Sequence, residues 1–248
     1  MVVNSNSESD VLVQVRGMSK SYGRFAALRD VSFTIRSGEM LGLIGPNGAG
    51  KTTLFECLAA VQPADAGAVT FGESDAGKRS VSATLFYVPD SVAPWPAQDV
   101  QWALRFSLGF FGGRTGLYDQ VVSDLRLESL LHTPIGALSK GQRKRVLLAI
   151  GLLAPQRIVV IDEPFEGLDL RQSREVEATL RKHVAAGRTL FVSIHQIADA
   201  ARICDRFVLL SSGTMVAEGT LEELTALAAS RVENLPAHDF EEIFLALT

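Results

Sequence analysis

Residues 45–53 read GPNGAGKTT and lie between the apolar run MLGLI and the amphipathic stretch LFECLAAV. Three glycines and a proline fall within six positions, more than a turn needs. The spacing G-x-x-x-x-G-K-[ST], after an apolar strand and at the opening of a helix, predicts a phosphate-binding loop. Glycines let backbone N–H groups converge on an anion, and the helix N-terminus adds partial positive charge. Lys51 then offers a full charge to the β- and γ-phosphates, and Thr52 a hydroxyl to Mg²⁺. The plain alternative is a glycine-rich strand-to-helix turn, against which spacing and context both argue. Gly45, Pro46, Asn47, Gly48, Ala49, Gly50, Lys51, Thr52 and Thr53 are therefore the expected nucleotide cradle.

The rest of the chain supports an α/β fold around that loop. MLGLIG (40–45), TLFYVP (84–89), RIVVID (157–162) and TLFVSIH (189–195) have nearly continuous apolar positions, as expected for parallel strands buried on both faces. Alternation in VLVQVRG (11–17) and DVSFTIRSGE (30–39) predicts two half-buried antiparallel strands joined through SKSYGRFAA. Helical patterns occupy KTTLFECLAAV, LRQSREVEATLRKHV and the start of QIADAARIC. Residues 97–153 carry no convincing strand. They read as the helices AQDVQWALRFSLGFF, DQVVSDLRLESLL and KGQRKRVLLAIGLLA, a helical subdomain inserted between two sheet strands. RFVLLSSG and TMVAEG predict a hairpin across Ser212–Gly213, followed by helices at 220–230 and 239–247. The expected layout is a P-loop NTPase, RecA-like, with a parallel-sheet core, an antiparallel β part and the helical insertion. In residue terms this means a lead at 1–10 and one domain over 11–248, with 11–96 and 154–248 forming the α/β core.

A nucleotide site also needs a carboxylate for its metal. RIVVIDEP delivers Asp162 and Glu163 to the C-terminal end of a strand, where open α/β sheets bind ligands. Asp162 can orient Mg²⁺, and Glu163 can act as general base on an attacking water. The same pair could instead cap the next helix.

A phosphate loop alone fits kinases, GTPases and motors equally. ALSKGQRKRVLLAIGLLA, about 20 residues before the Asp162 strand, narrows the class. Lys140, Arg143, Lys144 and Arg145 crowd a helix start, where the macrodipole disfavours cations, so an incoming anion would relieve the conflict. A solvated basic face is the alternative. With these residues in view, the sequence resembles the nucleotide-binding subunit of an ATP-binding cassette (ABC) transporter over nearly its whole length. LSKGQ at 138–142 resembles the family's signature motif, with Lys140 where glycine is usual.

The resemblance implies further roles. Tyr22 stands where an aromatic residue stacks on adenine. Gly167-Leu168-Asp169 resembles the D-loop, and His195 the switch histidine that contacts the γ-phosphate. Ser139, Gly141, Gln142 and Asp169 would contact the nucleotide from a second subunit, in a homodimer or a pair with another cassette. Asp90 replaces the glutamine usual in the loop after TLFYVP and could still ligate Mg²⁺ beside Thr52 and Asp162. ATP and Mg²⁺ are thus the expected cofactors. The stiff segment SVAPWPAQD, with Trp95, and the helices near 97–130 would dock a membrane subunit, although Trp95 and Trp102 could equally be subdomain core. The ending DFEEIFLALT resembles cassettes of ABC-2 exporters. A soluble cassette ATPase without transport is the second reading, but relatives in translation usually carry two cassettes and a basic linker.

Composition limits the setting. The chain has 248 residues, 47% of them hydrophobic, enough for a sizeable core. A net charge of −4 supplies no global field toward nucleic acid, which is not an expected partner. Cys57 and Cys204 sit in apolar segments without metal-like spacing and read as small buried side chains in a reducing compartment. MVVNSNSESD lacks signal-peptide character, and VLLAIGLLA is about half the length needed to cross a bilayer. The expected location is cytoplasmic, on the inner face of the membrane, with a separate membrane-spanning permease chain as partner.

Overall fold

In the computed structural model, residues 10–72, 81–90, 92–195, 197–231 and 240–248 are described. The expected lead (apart from Asp10), Ser91 of the proline segment, Gln196 and the start of the final helix at 239 lie outside these residues.

Two sheets form the framework. The first is antiparallel, with strand order β2-β1-β4, from β1 (Val11–Tyr22), β2 (Phe25–Arg36) and β4 (Ala66–Phe71). The second has strand order β5-β6-β7-β3-β8-β9, from β3 (Met40–Ile44), β5 (Leu85–Val88), β6 (Ile158–Ile161), β7 (Thr189–Ile194), β8 (Arg206–Ser211) and β9 (Thr214–Gly219). Its first five strands are parallel, and β9 pairs antiparallel with β8 through the expected turn.

Every residue of β3, β6 and β7 is buried. Alternate residues enter different cores, which explains the unbroken apolar runs. Leu41, Leu43, Ile158, Val160, Phe191 and Val208 face the antiparallel sheet and helix α1 (Lys51–Leu58). Met40, Ile44, Val159, Ile161, Leu190 and Val192 face the other way, into a core shared with the helical elements. A short α2 (Val81–Thr84) precedes β5.

Between β5 and β6 come α3 (Val100–Phe111), α4 (Tyr118–Asp124) and α5 (Lys140–Leu153). After β6 come α6 (Leu170–Ala185), α7 (Ile197–Ile203), α8 (Leu221–Ala229) and α9 (Phe240–Leu247). Side-chain caps fix several helix starts: Asp99, Ser139, Asp169 and Thr220 each accept a backbone N–H of the first turn.

Three expectations change. SKSYGRFAA is not a connection: β1 and β2 run through it, with irregular register around Met18 and Lys20, and turn only at Gly23-Arg24. The edge strand β4 was not anticipated. DQVVSDLRLESLL is not one helix, because α4 ends at Asp124, Arg126 adopts φ 52°, and Glu128–Leu130 form a separate 3-10 turn.

Candidate functional site

The glycine-rich loop leaves β3 and enters α1, as its spacing requires. A Cβ at Gly45 would lie 2.2 Å from the carbonyl oxygen of Leu210, and Gly50 has φ 104° with its missing Cβ 2.5 Å from the Ala27 carbonyl oxygen. Both positions therefore exclude a side chain, whatever the ligand. Lys51 is buried and its ammonium donates to the carbonyl oxygens of Gly45, at 2.7 Å, and Pro46, at 3.2 Å. Burial lowers its pKa, while Glu163 and Asp162 oppose that shift. Pro46, Asn47 and Gly48 are exposed at the loop's tip, and Ala49 is buried beneath it.

Asp162 is reached from both sides by hydroxyls. Thr52 donates to its Oδ2 at 2.7 Å and Ser193 to its Oδ1 at 2.5 Å. Thr53 stands next in α1, half-buried. Ser193, in β7, also accepts the backbone N–H of Glu163 at 2.9 Å. Glu163 has φ 47°, the left-handed region that a non-glycine residue enters only when its surroundings hold it there. Its pKa is raised, first by burial and then by the negative charges of Asp162 and Asp90, with Lys51 opposing. A raised pKa is the direction that suits a general base. Tyr87, in β5, has its phenol pKa pushed up by burial and by neighbouring carboxylates, Asp162 foremost.

His195 is exposed at the end of β7. Together with Glu163, Ser193, Leu168 and Arg202 it lines an open cleft of about 390 Å³. A second depression joins it to Gly45, Pro46 and Phe244 of α9. The structure thus brings together Lys51, Thr52, Asp162, Glu163 and His195, as expected. Ser193 and Tyr87 belong with them but were not anticipated.

The second predicted group lies elsewhere. Ser139 and Gln142 form a capping box at the start of α5: the Gln142 N–H donates to Ser139 Oγ, and the Ser139 N–H donates to Gln142 Oε1. Gly141 packs against the Gly167 carbonyl oxygen, where a Cβ would come within 2.6 Å. Asp169 caps α6 by accepting the Gln172 N–H at 2.8 Å. Tyr22 is exposed at the end of β1, and its hydroxyl donates to Gln62.

The four cations at this helix start do not converge on an anion site, a correction to the sequence reading. Lys140 pairs with Glu166, Lys144 with Asp90, Arg143 donates to the Leu138 carbonyl and Arg145 to that of Leu125. Lys140, Lys144 and Arg145 carry their charges to partners on other segments, whereas Arg143 reaches back to the carbonyl just before the helix.

Comparison with known proteins bears on this geometry. The profile of the family described as ABC transporter matches residues 28–166, which span the phosphate loop, the signature-like stretch and the Asp162 strand. The chain belongs to the ABC transporter family. This cassette is 33% identical over 224 residues to a Nod factor export ATP-binding protein I of Sinorhizobium fredii, covering 87% of the chain and 64% of that protein. It is also 33% identical over 222 residues to a sulfate/thiosulfate import ATP-binding protein of Brucella melitensis, covering 86% of the chain and 62% of that protein. The chain therefore spans less than two thirds of the length of these two relatives. Among solved structures, an ATP binding subunit of an ABC transporter superposes with TM-score 0.83 at 27% identity, over 95% of this chain and 99% of that one. The relatives are named as ATP-binding proteins of export in one case and of import in the other.

On the helical subdomain an aromatic row faces outward. Trp95, Trp102, Phe106 and Phe110 form it, with Trp102 and Phe106 stacked at 4.8 Å and Phe110 71% exposed. Trp95 and Trp102 are partly exposed rather than buried core. Among the described residues, no helix is long and apolar enough to cross a membrane.

Proposed function

We propose that this cassette powers export through a separate membrane-spanning permease, by closing on a second cassette around ATP and reopening after hydrolysis. One observation carries the reading: the residues expected around one nucleotide fall into two groups, each held by its own hydrogen bonds and packing. Lys51, Thr52, Asp162, Glu163 and Ser193 form one, and Ser139, Gly141 and Gln142, packed on the 166–169 loop, form the other. A second copy, or another cassette, would lay its signature helix over this chain's phosphate loop.

Within that assembly Lys51 and the loop amides bind the β- and γ-phosphates. Tyr22 stacks on the base, and His195 reads the γ-phosphate. Ser139, Gly141, Gln142 and Asp169 contribute to the facing site. Glu163 accepts a proton as a water oxygen bonds to the γ-phosphorus and the bridging oxygen leaves with ADP. Thr52 and Asp162 offer the hard oxygen donors that suit Mg²⁺, with Asp90 as a further ligand, and the ion supplies charge neutralisation at the phosphates when bound. Among the described residues no group of three or more His, Cys, Asp or Glu could hold a metal by itself. That fits an ion held largely by phosphates and water.

The outward aromatic row, on the segment 92–99 and α3, supports docking of the permease there. The similarity to Nod factor export proteins and the ending DFEEIFLALT support export, and the similarity to a sulfate importer is the counterweight. The subunit would then work in the cytoplasm, on the membrane's inner face. Reconstitution with the multi-span product of a neighbouring reading frame tests this. ATP turnover should rise on assembly, and a cysteine at position 95 should crosslink to the membrane chain. Assembly without any change in turnover, or without that crosslink, would count against it.

A further inference from the structure

We propose that Lys144 is a positioning residue of the ATPase site: from the signature helix it holds the Asp90 carboxylate and the main chain of Asp162. The inference rests on the roles proposed above for Asp162 and Glu163. Lys144 lies in the second turn of α5, yet its side chain is only 1% exposed because it runs inward to the ends of two neighbouring strands. Its ammonium donates to Asp90 Oδ1 at 2.6 Å and to the Asp162 carbonyl oxygen at 3.1 Å. Asp90 follows β5 and Asp162 follows β6, two strands paired in parallel up to Val88 and Ile161. One cation therefore joins the helical subdomain to both strand ends, next to the residue that carries the base.

Charge makes the link consequential. A buried ammonium deprived of its counter-charge is far costlier than a solvated one, so Lys144 and Asp90 must stay near each other or open together toward water. The glutamine expected at position 90 from the family resemblance is neutral and would leave Lys144 without that counter-charge. Aspartate at 90 and lysine at 144 are thus explained as one pair.

A mutant cycle on the full chain tests the pair without nucleotide or metal, where a ligand role for Asp90 is silent. Asp90→Ala should lower the thermal midpoint by about 5 °C, and Asp90→Ala/Lys144→Met should recover at least about half of that loss. Should Asp90→Ala not fold, Asp90→Asn and its double variant with Lys144→Met carry the same comparison. Activity supplies the second readout. Lys144→Met should lower kcat about tenfold while KM for ATP stays within about twofold, and Lys144→Arg should retain kcat within about threefold. Additive midpoints overturn the pairing, and an altered midpoint with unchanged kcat reduces Lys144 to a structural role. A wild-type chain that binds no ATP would overturn the functional reading, and the positioning role with it, whereas zero coupling overturns this inference alone.

Discussion

Ser193 is a hydroxyl inside the apolar run TLFVSI, and it holds both members of the acidic pair. Removing it takes a donor from Asp162 and strands the Glu163 N–H in a buried setting, which costs about 1–3 kcal/mol. If that cost falls on catalytic geometry, Ser193→Ala should reduce kcat about tenfold or more with nucleotide affinity nearly unchanged, and Ser193→Thr should restore it. Steady-state kinetics beside nucleotide titration would show the split; equal losses in both would point to a general folding defect. Glu163 must be ionised to accept a proton, and its pKa is raised. Turnover should therefore fall as pH drops through a value above that of an ordinary glutamate. Glu163→Gln should keep ATP binding, lose nearly all turnover and lose that acidic limb, so a pH–rate profile of both proteins checks the assignment. Lys51, Thr52, Asp162 and Glu163 were legible in the sequence because each sits at a set distance from a strand end. Ser193 was not, since its partner is 31 residues away and one serine in a strand has no spacing to betray it.

At the scale of elements, continuous apolar runs marked the parallel strands well, because burial on both faces leaves no polar alternation to misread. Strand β4, AGAVTF, gave no such mark: it is an edge strand, mostly exposed and rich in small residues. Helix α6 was legible from its periodicity, but not the burden it carries. His183 in its last turn is buried, and its pKa is lowered to about 4, first by burial and then by Arg188 and Arg114, with Lys182 adding to the effect and Asp124 opposing it. The folded pKa lies below the unfolded value of 6.5, so neutral His183 favours the fold above that value. The contribution is lost as pH falls from 6.5 toward 4, reaching about 2 kcal/mol at about pH 5. Urea unfolding at neutral pH and again at mildly acid pH should show the wild type losing about that much more stability than His183→Gln. Equal acid losses in the two proteins would mean that His183 titrates as it does in water.

At the scale of the whole molecule, the two groups of site residues bear on how many copies the reaction needs. Ser139 and Gln142 bond each other, Gly141 packs on Gly167, and Lys144 runs inward to the core, so the start of α5 is braced from within the chain. The capping hydrogen bonds at this helix start run between Ser139 and Gln142, and the phosphate loop supplies none of them. If each nucleotide is covered by two copies, turnover depends on the dimer population, and that population falls with dilution. Well below the dissociation constant, a tenfold dilution should lower specific ATPase activity about tenfold, whereas well above it activity per subunit should be flat. Glu163→Gln with ATP should shift the elution of the same dilute sample to twice the mass, and ADP should reverse the shift. Constant specific activity across a dilution series in which light scattering shows only monomer would mean that one copy completes the site. The signature stretch would then be left with its capping and packing roles alone.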